Sequence, residues 1–249
     1  MESSSKCALF RVGFSLQSTD IYGVSNRMRV VYLHGFASSP QSSKAQFFAA
    51  KFAQAGVAFE APQLDQGNFE ALTISGQMRV VEKAVARQAK NLAKGEQMVL
   101  MGSSLGGYLA ALYAARHPKP VDRLVLIAPA FQFLQRWRER MSAQEIEDWK
   151  RAGWVSMHHY GSKSEQRLGY RFLEDAAEYQ ATPDFQQRAL ILHGTEDPVV
   201  PYQVSYDYAL EHAQTRLALF KSGHELTDVL EDLWRETAAF LEIAGSGVV

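Results

Sequence analysis

Six short apolar runs, rich in β-branched residues, recur at Val30–Leu33, Val57–Glu60, Met98–Met101, Leu124–Ala128, Leu190–His193 and Leu217–Phe220. Most are apolar at successive positions rather than alternate ones, the pattern of strands buried on both faces. Stretches of helical period separate most of them: Gln41–Gln54, Ile74–Lys94, Leu105–Arg116 and, after the last run, Asp228–Ile243. Gly56 and Gly95 lie just past two of these helices, and Pro118 with Pro120 stops the third. The alternation predicts an α/β fold built on a mostly parallel, doubly wound sheet. One interval breaks the rhythm. From Ala130 to Gln187 there is no clear strand, only helical pattern carrying Trp137, Trp149, Trp154 and Tyr160. Structureless connections of that length are uncommon, so a helical insertion is expected after the fourth strand, lying as a cap over one end of the sheet. No period of 20 to 50 residues suggests a repeat architecture. Residues 1–27 are Ser-rich and aperiodic and read as a poorly ordered tail, with Met28 a candidate start for a single domain over 28–249.

Composition narrows the function classes. The chain has 249 residues, 47% hydrophobic and 21% charged, enough to bury a sizeable core. Its formal net charge of −1 lacks the basic footprint of a nucleic-acid binder or a polybasic membrane anchor, so no nucleic-acid partner is expected. A small, roughly neutral substrate suits it better. The longest apolar stretch, near Leu124–Phe131, is too short to span a bilayer and contains Pro129. The apolar cluster Cys7–Phe10 is cut off by Arg11 before it reaches signal-peptide length, so secretion is not expected. Cys7 is the only cysteine, which rules out an internal disulfide and fits a reducing, cytoplasmic setting.

The run Met98–Met101 leads directly into Gly102-Ser103-Ser104-Leu105-Gly106 and then into a helix. This is G-x-S-x-G in the strand-to-helix context that gives the motif meaning: a turn so sharp that side chains two positions either side of Ser104 would collide, hence Gly102 and Gly106. Ser104 is the candidate nucleophile, at the C-terminal edge of the sheet; Ser103 reads as structural. A serine hydroxyl needs a base, and histidine is the side chain suited to it at neutral pH. Of seven histidines, His117, His158, His159 and His212 read as surface or cap positions, and His193, ahead of Gly194, as packing. His224 follows the last strand in Lys221-Ser222-Gly223-His224, on the same edge as Ser104, and is the candidate base. The carboxylate that fixes its tautomer is expected from His193-Gly194-Thr195-Glu196-Asp197-Pro198, with Asp197 preferred to its neighbour Glu196. Two amide donors for an oxyanion are expected from Leu105, at the start of the helix, and Phe36, in His34-Gly35-Phe36 after the first strand.

The order His34-Gly35, Gly102-x-Ser104-x-Gly106, Asp197, His224 resembles the α/β-hydrolase superfamily over residues 28–243. The run Leu33-His34-Gly35-Phe36-Ala37-Ser38-Ser39-Pro40, with Asn68-Phe69-Glu70-Ala71-Leu72-Thr73, is similar to small bacterial YqiA-like esterases. The resemblance implies a serine esterase or thioesterase that forms an acyl-enzyme on a small-molecule ester or thioester, with no metal or organic cofactor. An insertion of this length is more than the smallest members carry.

Within the insertion, eight basic residues balance eight acidic ones between Ala130 and Pro183, so its arginines are expected on solvated amphipathic helices rather than at an anionic substrate. Its aromatics are expected to shield the site or line an acyl pocket. The same three side chains also serve C–C cleavage, peptide hydrolysis and acyl transfer, which the sequence does not separate. A dehalogenase-like reaction would want Asp at position 104, and a non-catalytic module would be expected to lack one of the three.

Overall fold

The computed structural model describes residues 28–243; the expected tail at 1–27 lies outside them. Six strands form one sheet: β1 (Met28–Leu33), β2 (Ala58–Glu60), β3 (Gln97–Ser103), β4 (Arg123–Ile127), β7 (Arg188–Gly194) and β8 (Thr215–Phe220). They lie in the order β2-β1-β3-β4-β7-β8, and each pairing is parallel. The strand order reverses between β1 and β3, which opens a crevice at their carboxyl ends. Leu33 is level with Gly102, and Ser103 with Ile127, so the loops after β1, β3 and β4 leave from one edge.

The doubly apolar strand pattern has a direct physical counterpart. Val30 and Tyr32 pack on one face with Phe48 and Phe52 of α1 (Ser43–Gln54) and Leu233 and Phe240 of α8 (Leu230–Leu241). Val31 and Leu33 face the other way, toward Val81 of α2 (Ile74–Lys90) and Leu109 of α3 (Leu105–Arg116). The helix starts are set by side chains: Ser42 Oγ accepts from the Ala45 amide and Thr73 Oγ1 from the Gly76 amide. Arg123 ties β4 to the end of α8 by donating to the Phe240 carbonyl at 2.6 Å. The second expected helix ends at Lys90, four residues early, and the last is shorter at both ends, preceded by a 3₁₀ turn at Thr227–Val229.

The insertion departs from the all-helical expectation. It holds α4 (Phe133–Arg140), α5 (Ala143–Ala152) and α6 (Arg171–Ala176), but also an antiparallel hairpin of β5 (Trp154–His159) and β6 (Ser164–Gly169). The hairpin is mostly exposed, so its strands are polar and short of the apolar content that marks the central sheet. What could have revealed it is the period-two set Val155, Met157, His159 ahead of a Gly161-Ser162-Lys163 turn. A further helix, α7 (Tyr202–Glu211), lies between β7 and β8.

The insertion is packed into the molecule. Trp149, Leu168 and Phe172 belong to the same buried cluster as the residues of α2 and α3, and Trp149 Nε1 donates to the Leu168 carbonyl at 3.0 Å. Trp149→Ala is expected to cost about 3–5 kcal/mol, as for other large buried aromatics. Urea unfolding followed by circular dichroism checks this: the loss should appear as one shifted transition, whereas a separate early transition of the insertion would show that the two cores are independent.

Candidate active site

At the end of β3 the chain turns so tightly into α3 that Ser104 sits at φ 53°, ψ −119°. Two glycines make this possible. A Cβ on Gly102 would stand 2.2 Å from the Gly106 carbonyl oxygen, and one on Gly106 would stand 2.1 Å from the Leu33 carbonyl oxygen. The strained backbone is over-determined by β4 and its loop: the Ser104 amide donates to the Ile127 carbonyl at 2.8 Å, and the Ala130 amide donates to the Ser104 carbonyl at 3.0 Å.

Ser104, His224 and Asp197, widely separated in sequence, meet in series. Ser104 Oγ lies 2.9 Å from His224 Nε2, and His224 Nδ1 lies 2.7 Å from Asp197 Oδ2. A carboxylate only accepts, so Nδ1 carries the proton and Nε2 is left to accept from the serine hydroxyl. Glu196, the rival carboxylate, is exposed. Asp197 has a buried side chain whose Oδ1 accepts from the Val199 and Val200 amides at 2.7 and 2.8 Å. Burial alone would raise its pKa; hydrogen bonds from His193 and His224, with the Val200 amide, outweigh that and hold it well below the usual carboxylate range.

The proposed oxyanion donors lie on the same rim. The loop after β1 passes so close that a Cβ on Gly35 would stand 3.4 Å from Ser104 Cβ. Leu105 is the first residue of α3, where amides lack an intrahelical acceptor. Gly35, Phe36, Ser104, Leu105 and His224 all border one cavity of about 1010 Å³. Phe36 packs its ring against Phe69, Trp137 and Phe172, with centroids 5.1–5.7 Å apart. Of the insertion's aromatics, Phe133, Trp137, Tyr160 and Phe172 border the cavity, whereas Trp149 is buried in the core and Trp154 is exposed.

Residues 29–242 match the model of the family described as "Uncharacterised protein family (UPF0227)". The chain belongs to this family. A Bos taurus protein named "Palmitoyl-protein thioesterase ABHD10, mitochondrial" is 26% identical to this UPF0227 member over 189 residues, 72% of this chain and 60% of the relative. The chain therefore spans about 60% of the length of the curated relatives it matches. Among solved structures, the mouse α/β hydrolase domain-containing protein 10 superposes with a TM-score of 0.70 at 20% identity, covering 96% of this chain and 99% of that one. The structure of Est1E from Butyrivibrio proteoclasticus with bound ferulic acid gives a TM-score of 0.70 at 20% identity, covering 86% of each chain. The UPF0227 chain has the α/β-hydrolase fold.

Several supporting residues in this family member escaped the sequence reading. His193, read as packing, stands with Nε2 3.2 Å from Asp197 Oδ2 and donates to the Val200 carbonyl at 2.9 Å. That carbonyl can only accept, so Nε2 carries a proton, and Nδ1 is hydrogen-bonded to the Ser205 hydroxyl, 2.7 Å away. Lys44, buried on α1, donates to the carbonyl of Glu225 at 2.7 Å and to its carboxylate at 3.0 Å, pinning the residue after His224. Burial pulls the Lys44 pKa down and Glu225 opposes the pull. Neither contact has a local signal, because α1 and the His224 loop are far apart in sequence. The charge count in the insertion misled at Arg136 and Arg140, which line the cavity rather than a purely solvated helix face. Among the described residues no group of three or more His, Cys, Asp or Glu could hold a metal ion, and no helix is long and apolar enough to cross a membrane.

His34 anchors the Phe36 loop: Nδ1 donates to the Gly35 carbonyl at 3.0 Å and Nε2 accepts from the Leu64 amide at 3.2 Å. Burial lowers its pKa from the ordinary 6.5. Between the lowered folded-state pKa and the ordinary one, the unfolded chain binds a proton that the folded chain does not, so the stability from neutral His34 is complete above about pH 6.5 and is lost as pH falls. Asp197, also depressed, adds a loss of the same sign below about pH 3.9. The melting temperature is expected to fall from pH 7 to pH 5, and His34→Asn to flatten that part of the profile. An unchanged wild-type melting temperature over this interval would count against the account.

Proposed function

We propose that the protein hydrolyses carboxylic esters or thioesters through an acyl-enzyme on Ser104. The observation that carries this reading is the unbroken series from Ser104 Oγ through His224 to Asp197, at 2.9 and 2.7 Å. The relatives' names point the same way, one to a palmitoyl-protein thioesterase, and Est1E was solved with ferulic acid.

In this mechanism the serine oxygen attacks the acyl carbonyl as His224 Nε2 takes its proton, and the carbonyl electron pair moves onto oxygen, held by the Leu105 and Phe36 amides. The tetrahedral intermediate collapses, the bond to the alcohol or thiol breaks, and the imidazolium gives that leaving group its proton. Water, deprotonated by the same nitrogen, then attacks the acyl-enzyme and releases the acid and Ser104. Asp197 keeps the Nδ1 proton in place and stabilises the imidazolium. No step calls for a metal or organic cofactor. Arg140 joins the insertion to the acid loop, since it donates to the Pro198 and Val199 carbonyls. Cytoplasmic residence belongs to the same reading and rests on the single cysteine; subcellular fractionation checks it, the bovine relative being named mitochondrial.

A fluorophosphonate probe is expected to label the protein once, and Ser104→Ala to abolish the label. With p-nitrophenyl butyrate, Ser104→Ala and His224→Ala should each lower kcat on the order of 10³-fold or more, and Asp197→Asn by about 10⁴-fold through the wrong tautomer. Wild-type turnover by Ser104→Ala would refute the assignment. A panel of acyl chain lengths, as oxygen esters and thioesters, then separates the two substrate classes.

A further inference from the structure

The helix α4 presents Phe133, Arg136, Trp137 and Arg140 to the cavity, positions three, four and seven apart that share one helical face. Leu134, Gln135, Arg138 and Glu139 lie on the other side. The face therefore combines two aromatic rings with two guanidinium groups beside Ser104. Its charge is not balanced locally. None of the acidic residues of the insertion lines the cavity, and the one carboxylate among the described residues that does, Glu225, is bound to Lys44.

The two arginines differ. Arg140 is exposed and donates to the Pro198 and Val199 carbonyls. Arg136 Nη2 is buried from solvent and, among the described residues, meets no hydrogen-bond acceptor. Burial, reinforced by the charge of Arg140, pulls its pKa down, and the charges of Asp197 and Glu139 oppose this. Asp197 cannot serve as its partner, because both carboxylate oxygens are already occupied by two backbone amides and two imidazoles. Buried polar nitrogens are normally satisfied, and a guanidinium fork is shaped to grip a planar or tetrahedral anion.

We infer that the natural substrate carries an anionic group, a carboxylate or a phosphate, in the same molecule as its scissile acyl bond, and that Arg136 binds that group. The inference rests on the ester or thioester hydrolase reading above and narrows its substrate class. The aromatic wall takes the apolar part of the substrate and the guanidinium takes the charge.

Matched substrate pairs test it. One pair is p-nitrophenyl hydrogen glutarate against its methyl ester, with the charge on the acyl side. A second is S-butyryl-3-mercaptopropionate against its methyl ester, with a carboxylate on the leaving group. A third is 4-butyryloxyphenyl phosphate against phenyl butyrate, with a phosphate there. In at least one pair the wild-type kcat/KM should favour the anion by about tenfold or more, the usual scale of a charge-assisted hydrogen bond. Arg136→Gln should abolish that ratio, Arg136→Lys restore part of it, and Arg138→Gln, on the opposite face, leave it unchanged. No preference in any pair, or a preference that survives Arg136→Gln, overturns the inference.

Calorimetric titration of the Ser104→Ala protein with the same compounds reads the anion site without turnover. The anionic member should bind about tenfold more tightly than its neutral partner, and Ser104→Ala/Arg136→Gln should erase the difference. Equal binding of all pairs overturns the anion site even if esters are hydrolysed. Failure of the wild type to hydrolyse any ester refutes the hydrolase reading, while the titration still decides the anion.

Discussion

The site depends on the absence of a single atom. Because Gly106 has no Cβ, the first turn of α3 presses against the Leu33 carbonyl at the end of β1, closer than any other residue could come. That contact forces the sharp turn at Ser104, sets its φ at 53°, and brings the loop after β1 alongside the helix N-terminus. The strain is tolerable because hydrogen bonds to β4 and the loop after it hold the Ser104 peptide on both sides. Parallel strands do the rest: loops that leave from one edge carry Asp197 and His224 to the same place.

Around the three central side chains lies a shell of partners that fixes protons rather than shape. His193 and His224 converge on one carboxylate from different strand ends, and each has its proton assigned by an acceptor that cannot donate. Lys44 secures the segment after His224 from α1, which lies on the same face of the sheet as α8. The imidazole between Ser104 and Asp197 is thereby constrained from both its own loop and the sheet beneath, so little reorientation would accompany the proposed proton transfer.

Much of the fold and the motif order was legible because those features are written locally. A strand buried on two faces needs apolar residues at consecutive positions, as in Val30–Leu33, and a strand-to-helix turn of this sharpness needs Gly102 and Gly106. The hairpin of β5 and β6 was not legible, since exposed strands such as Ser164–Gly169 can be almost wholly polar. The partners of Asp197 were legible only in part: its loop position pointed to His224, but the turn that brings His193, four residues ahead, onto the same carboxylate is a matter of loop geometry, and only the Ser205 contact to His193 depends on α7. Summing charge over the insertion failed for a related reason. A net charge of zero says nothing about which face of α4 each charge occupies, and the geometry turns Arg136 inward while Glu139 points away.

The ring of Phe36 is held among Phe69, Trp137 and Phe172, while its own backbone amide faces the reaction centre in the proposed mechanism. One residue thus sits in both the wall that would sort acyl chains by size and the electrostatic cradle that would stabilise charge. Remodelling the wall at this position would also loosen the proposed cradle, as would a change at Phe172, whose ring packs on Phe36. Phe133, which borders the same cavity from α4 and packs against Tyr108, Trp137 and Phe172, would instead let breadth of fit and the proposed charge stabilisation vary more independently.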